Sequence, residues 1–187
     1  MKNNKKFISY GKNVYDELEV NAVLKTLKKG TQMGRSVDLF EKKIATNFAK
    51  KYGLMVNSGS SAITLALKVL DFKKGSEIIT PCLNFGTAVS SILLANLSPI
   101  LVDCEVETLQ IDIKKIEKKI TSKTKALLIP NLIGNIPDWI KIRSLANKYN
   151  LKVIEDSADT LGATIKKIPT GKYSDISITS FYGSHII

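Results

Sequence analysis

Histidine occurs once in these 187 residues, at position 185, cysteine twice and arginine twice, at Arg35 and Arg143. One histidine with two separated thiols suits neither a metal cluster nor a disulfide framework, so no metal is expected, and Cys82 and Cys104 read as reduced, buried thiols. The scarcity of arginine bears on the net charge of +11. Its lysines are spread over most of the predicted helices without the arginine and aromatic interleaving of a nucleic-acid groove, which argues against DNA or RNA as a partner. No apolar run approaches the roughly eighteen residues of a membrane span. The opening stretch MKNNKKFISYGKN lacks the apolar core of a signal peptide, so the expected location is the cytoplasm. Repeats and linkers are absent too, and 44% hydrophobic content is enough for one buried core.

What is present is a rhythm of short apolar runs and helix-length segments. Residues 75–81 read as a turn, a strand and a stop, followed by a helix ending near Asn96. Further strands are expected at 99–103, 126–130, 151–155 and 176–180, with helices at 111–120 and 138–150. Buried strands alternating with helices predict an α/β fold, a mostly parallel sheet covered on both faces, with ligands bound at the carboxyl ends of the strands. Upstream, Val14, Leu18, Val20, Val23, Leu24 and Leu27 recur at near-helical spacing, so residues 1–30 form a predicted N-terminal helical segment packed on a domain of residues 31–187.

The polar residues at the expected strand ends carry the chemistry. Ser58-Gly59-Ser60-Ser61 opens a helix patterned by Ala62, Leu65, Ala66 and Val69. Its backbone amides and helix N-terminus suit a phosphate, while ordinary capping explains the same residues. Asp156 closes an apolar strand and needs a cationic or hydrogen-bonding partner, unless it caps a helix over 157–159. Asn131 either reaches a ligand or caps its strand, Gly134 serves a turn, and Trp139 packs at a helix start. Phe181 and Tyr182 alternate at a strand end, so one of them faces the core.

Taken together, SGSSA at 58–62, NF at 84–85, LKVIEDSAD at 151–159 and SFYGSH at 180–185 resemble the DegT/DnrJ/StrS family of pyridoxal-phosphate-dependent sugar aminotransferases and dehydratases. Less chemical stretches match in the same order, including 34–53, 75–81, 98–112 and 120–138. The resemblance implies the large domain of fold-type I, aspartate aminotransferase-like enzymes. It also implies pyridoxal or pyridoxamine 5'-phosphate as cofactor, with a homodimer building each active site across its interface. Gly59, Ser60 and Ser61, which begins its helix, match the phosphate-cradling turn, and Ser180 matches a hydroxyl that reaches the same phosphate. Phe85 matches the aromatic stacked on the ring, and Asp156 the carboxylate paired with the pyridine nitrogen. Asp159 falls where most members place Gln or His.

His185 falls where they place the lysine that links to the cofactor. The family's 3-dehydratases of nucleotide-linked 4-keto-6-deoxysugars are similar in carrying histidine there, as a base whose ordinary pKa of about 6.5 suits neutral pH. That branch implies C-3 dehydration in deoxysugar or lipopolysaccharide O-antigen synthesis, with nucleotide-sugar aminotransfer as the alternative. A binding module or an inactive fragment is the alternative of another class. Members that carry an iron-sulfur cluster have cysteine just before the position of Asp159; here it is Ala158, which favours the cluster-free kind that uses glutamate as amino donor. Family members run to about twice this length, so the chain is expected to be a partial large domain without the C-terminal small domain, inactive by itself.

Overall fold

Apolar runs of four to seven residues become strands, the central ones because both of their faces are buried by helices. The computed structural model describes residues 14–183 and residue 185. Its main sheet contains β1 (Glu77–Pro81), β2 (Ser98–Val102), β3 (Thr124–Pro130), β4 (Lys152–Ser157) and β7 (Ile176–Thr179), and a small hairpin, β5 (Thr164–Ile165) with β6 (Ile168–Pro169), lies between the last two. The strand order is β2-β1-β3-β4-β7, parallel throughout. The helices are α1 (Glu17–Lys29), α2 (Arg35–Asn47), α3 (Gly59–Val69), α4 (Gly86–Leu94), α5 (Ile113–Glu117) and α6 (Trp139–Lys148).

The period-two alternation of side chains divides the core into two layers. Ile78, Ala126, Leu128 and Ile154 face α3 and α4, where Ile63, Leu67 and Ile92 meet them. Ile79, Leu127, Ile129 and Val153 face the other way, against Ile116 of α5 and Trp139 and Ile142 of α6. Each fully buried side chain of this size contributes about 1.5–3 kcal/mol. Asp112 and Asp138 start α5 and α6 by accepting the N–H groups of Lys114 and Lys141. The expected α/β architecture, with helices on both faces of a parallel sheet, is the one observed.

Several local expectations change. The buried stripe of α3 is Ile63, Ala66 and Leu67, while Val69 is exposed; the small Ala62 and Ala66 had drawn the face to one side. That helix begins at Gly59, two residues before Ser61. The helix expected over 111–120 is confined to Ile113–Glu117, because Ile111 bridges to Cys104. Cys82 is exposed and Cys104 half-buried, so neither thiol is a core residue. The N-terminal helix forms, with an Asp16/Glu19 capping box and lysines in its last turn, but it has no buried residue. Leu18, Val23, Leu24 and Leu27 all stand exposed, so its apolar stripe does not pack on the domain; residues 1–13 of the expected segment lie outside the described residues. Among the described residues no helix is long and apolar enough to cross a membrane.

Candidate active site

At the carboxyl end of the sheet, residues far apart in sequence meet. Ser58 caps α3 by accepting the Ser61 N–H at 3.1 Å, and its carbonyl takes the N–H of Ala62. The first amides of a helix have no intrahelical partner, and here those of Gly59 and Ser60 remain for an anion. Capping and anion binding are thus compatible. Ser180, just past β7, comes up against this turn: a Cβ on Gly59 would lie 3.1 Å from Ser180 Cβ and 3.3 Å from its Oγ. Only glycine leaves that approach unobstructed. Ser60 and Ser61 also line an open groove of about 550 Å³ between α3 and α4, with Thr64, Lys68 and Ser91.

Asp156 belongs to β4, between β3 and β7, and is 6% exposed. No helix follows it. Its Oδ1 instead accepts the Ala158 N–H at 3.1 Å, a turn closed on its own strand end, which removes the helix-cap alternative. Burial pushes its pKa up to about 6; the Ala158 N–H opposes the shift, the Asp159 charge adds to it and His185 opposes it. This is a carboxylate with unmet demand for a positive or N–H partner.

Asp159 and His185 come together beside it. Asp159 Oδ2 accepts the Ile133 N–H at 3.2 Å, and Oδ1 lies 3.8 Å from His185 Nε2. The Tyr182 ring stands edge-on to the imidazole, with centroids 5.5 Å apart, and Phe181 packs on Phe40 of α2 at 4.9 Å. Contrary to expectation neither aromatic enters the core: Phe181 leans on α2 and Tyr182 on the histidine, and both remain exposed because β7 ends before them. Phe85 sits at the start of α4, its N–H held by the Asn84 side chain, which in turn donates to Thr80. Phe85 is 70% exposed, and the hydrogen bonds and ion pairs among the other candidates do not reach it.

A second polar cluster was not expected from the sequence. Asn131 follows β3 and is committed to the protein on every side. Its Oδ1 accepts Trp139 Nε1–H at 2.8 Å, and its Nδ2 donates to Glu155 and Ser157 at 3.0 and 2.7 Å. Glu155, fully buried, also accepts from Ser157, Ser174 and Ser177, and Lys50 caps Ser174 from the far side. Trp139 is thus both packing and a donor, and Asn131 serves the framework. The available signal was a glutamate inside an apolar strand, one residue from the carboxylate of interest and so on its opposite face.

A phosphorylated pyridine cofactor fits these residues: two free helix amides and a hydroxyl for its phosphate, and a buried, under-bonded carboxylate for a ring N–H. The DegT/DnrJ/EryC1/StrS aminotransferase family model matches residues 13–187. The chain belongs to this family. Similar family proteins include the lipopolysaccharide biosynthesis protein RfbH of Salmonella typhimurium, 38% identical over 82% of this chain and 37% of the relative. A GDP-4-keto-6-deoxy-D-mannose 3-dehydratase of Yersinia pseudotuberculosis is 34% identical over 93% of the chain and 46% of the relative. A GDP-perosamine synthase of Escherichia coli is 38% identical over 82% and 42%. Among solved structures, a GDP-4-keto-6-deoxymannose-3-dehydratase with bound GDP-perosamine superposes with a TM-score of 0.88 at 31% identity, over 94% of this chain and 47% of that one. An Escherichia coli 3-dehydratase with bound hydrated PLP does so at 0.80 and 32%, over 85% and 43%. The chain spans less than half the length of these family members, and the fold-type I expectation holds for that part.

Proposed function

We propose that the intact protein carries out C-3 dehydration of a nucleotide-linked 4-keto-6-deoxyhexose, using pyridoxal/pyridoxamine 5'-phosphate held without a covalent lysine link. The single observation that carries this reading is His185 against Asp159 beside the buried Asp156, at the position where the resemblance implies the lysine. Gly59, Ser60, Ser61 and the Ser180 hydroxyl would hold the phosphate, Phe85 would cover the ring, and Asp156 would accept its N–H. When bound, the amine form of the cofactor supplies an amine for the sugar ketone and an electron sink for loss of the 3-hydroxyl. The protein's own contribution is proton handling: the imidazole would take a proton and give it back. Asp156, charged once it faces a cation, keeps that partner protonated.

Glutamate is the proposed amino donor, a homodimer the working form, the cytoplasm its location, and deoxysugar or lipopolysaccharide synthesis its setting. Aminotransfer to a nucleotide sugar is the second reading, favoured by the 38% identity to a perosamine synthase. Similarity alone does not separate the two; histidine at position 185, where the resemblance implies lysine, supports the first. Incubating the intact protein with cofactor, glutamate and a GDP- or dTDP-linked 4-keto-6-deoxyhexose should yield a 3,6-dideoxy sugar, read by mass spectrometry. Stable accumulation of a 4-amino sugar would support the second reading instead.

A further inference from the structure

The turn that receives Asp159 is strained in a way that has a chemical use. Ile133 adopts φ 56° and ψ 34°, left-handed backbone that a β-branched residue rarely enters, and Gly134 follows at φ 75°. The turn is stitched at its base: Asn131 N–H donates to the Asp156 carbonyl at 2.8 Å, and Thr160 Oγ1 donates to the Asn131 carbonyl at 3.2 Å. Thr160 is the residue after Asp159, so the turn and the aspartate are tied to the same place. The result is that Ile133 N–H fixes Asp159 Oδ2 and leaves Oδ1 turned to the imidazole, 3.8 Å from Nε2. The other ring nitrogen, Nδ1, is buried and has no hydrogen-bond partner among the described residues.

We propose that Asp159 is a positioning residue that sets the tautomer of His185, holding the ring proton on Nε2 and leaving the buried Nδ1 bare. A carboxylate has no donor to offer, so the ring nitrogen that faces it is the one that carries hydrogen. Gln or His at position 159, as in most of the family, has a donor of its own and would not impose this choice. The consequence for catalysis rests on the reading of His185 as the base; the tautomer itself does not.

The chain's only histidine makes the test direct, because all imidazole nitrogen signals belong to one residue. Nitrogen-15 NMR of the histidine-labelled chain, above the imidazole titration, should show Nε2 protonated and Nδ1 bare, with little of the mixture seen for free imidazole. Asp159→Ala should relax the ratio toward that of free histidine, where Nε2–H predominates over a measurable Nδ1–H minority, and Asp159→Asn, whose amide donates to Nε2, should move the proton to Nδ1. Ile133→Gly keeps the N–H and should keep the bias. A wild-type ring protonated on Nδ1 overturns the proposal, and so does a tautomer ratio unchanged in a folded Asp159→Ala or Asp159→Asn chain. Since no substrate or cofactor enters the measurement, it can fail while the dehydration reading stands, and the product assay can fail while the tautomer stands.

Discussion

Glu155 and Asp156 are neighbours on one strand with opposite fates. Period two sends Glu155 to the α6 face and Asp156 to the α3 face. On the first side the carboxylate is met by Asn131, Ser157, Ser174 and Ser177; on the second a single backbone N–H meets it. Both are buried, so burial does not tell them apart. The difference lies in hydrogen-bond supply: a carboxylate whose acceptors are filled is framework, and one whose acceptors are left short is a place for something else to bind.

The largest expected effect is on the filled side. Glu155→Ala removes the acceptor shared by Asn131, Ser157, Ser174 and Ser177, leaves the buried Ser157 hydroxyl without its partner, and removes the stronger of the two carboxylates that attract the half-buried Lys50, and should cost about 3–5 kcal/mol of stability. Urea unfolding at pH 7 measures it. A variant of near wild-type stability would break the comparison. On the short side the sign reverses. With its pKa raised from 3.8 to about 6, the folded chain binds more protons than the unfolded chain between those values, so this group's contribution falls as pH rises through them. Asp156→Asn should therefore stabilise the chain at pH 7, by on the order of 2–3 kcal/mol, while weakening cofactor binding. Unfolding curves at pH 4 and pH 7, with a cofactor titration, sharpen the contrast; destabilisation at pH 7 would place Asp156 with Glu155. The smallest effect, because solvent screens a half-exposed group, concerns Lys50, whose pKa burial lowers from 10.5 to about 8, against the pull of Glu155 and Asp175. The unfolded chain holds that proton more tightly, so stability should rise with pH across 8 to 10.5, and Lys50→Met should flatten that rise in urea midpoints.

The sequence made one side of this strand legible and not the other. Strands and helices followed from periodicity, and the sheet's layers from alternation, because burial on two faces leaves a continuous apolar run. Gly59, Ser180 and Asp156 were visible because each sits at a strand or helix end within a recognisable motif. Glu155 was not, since its partners come from β3, β7 and the turn before it, and nothing local marks Asn131, Ser174 or Lys50 as converging. The apolar stripe of α1 was legible as a stripe, but periodicity does not say what covers it, and in the described chain nothing does. The strain at Ile133 left no trace either, because asparagine or glycine is the usual sign of left-handed backbone and isoleucine is not.

The central claim is that His185 stands where a covalent link would otherwise form. Intact-mass and peptide-map spectrometry after borohydride treatment of the cofactor-saturated protein tests it most directly. No stoichiometric cofactor adduct is expected in the wild-type chain, and one adduct at residue 185 in His185→Lys. A stoichiometric adduct at any lysine of the unaltered protein would contradict it.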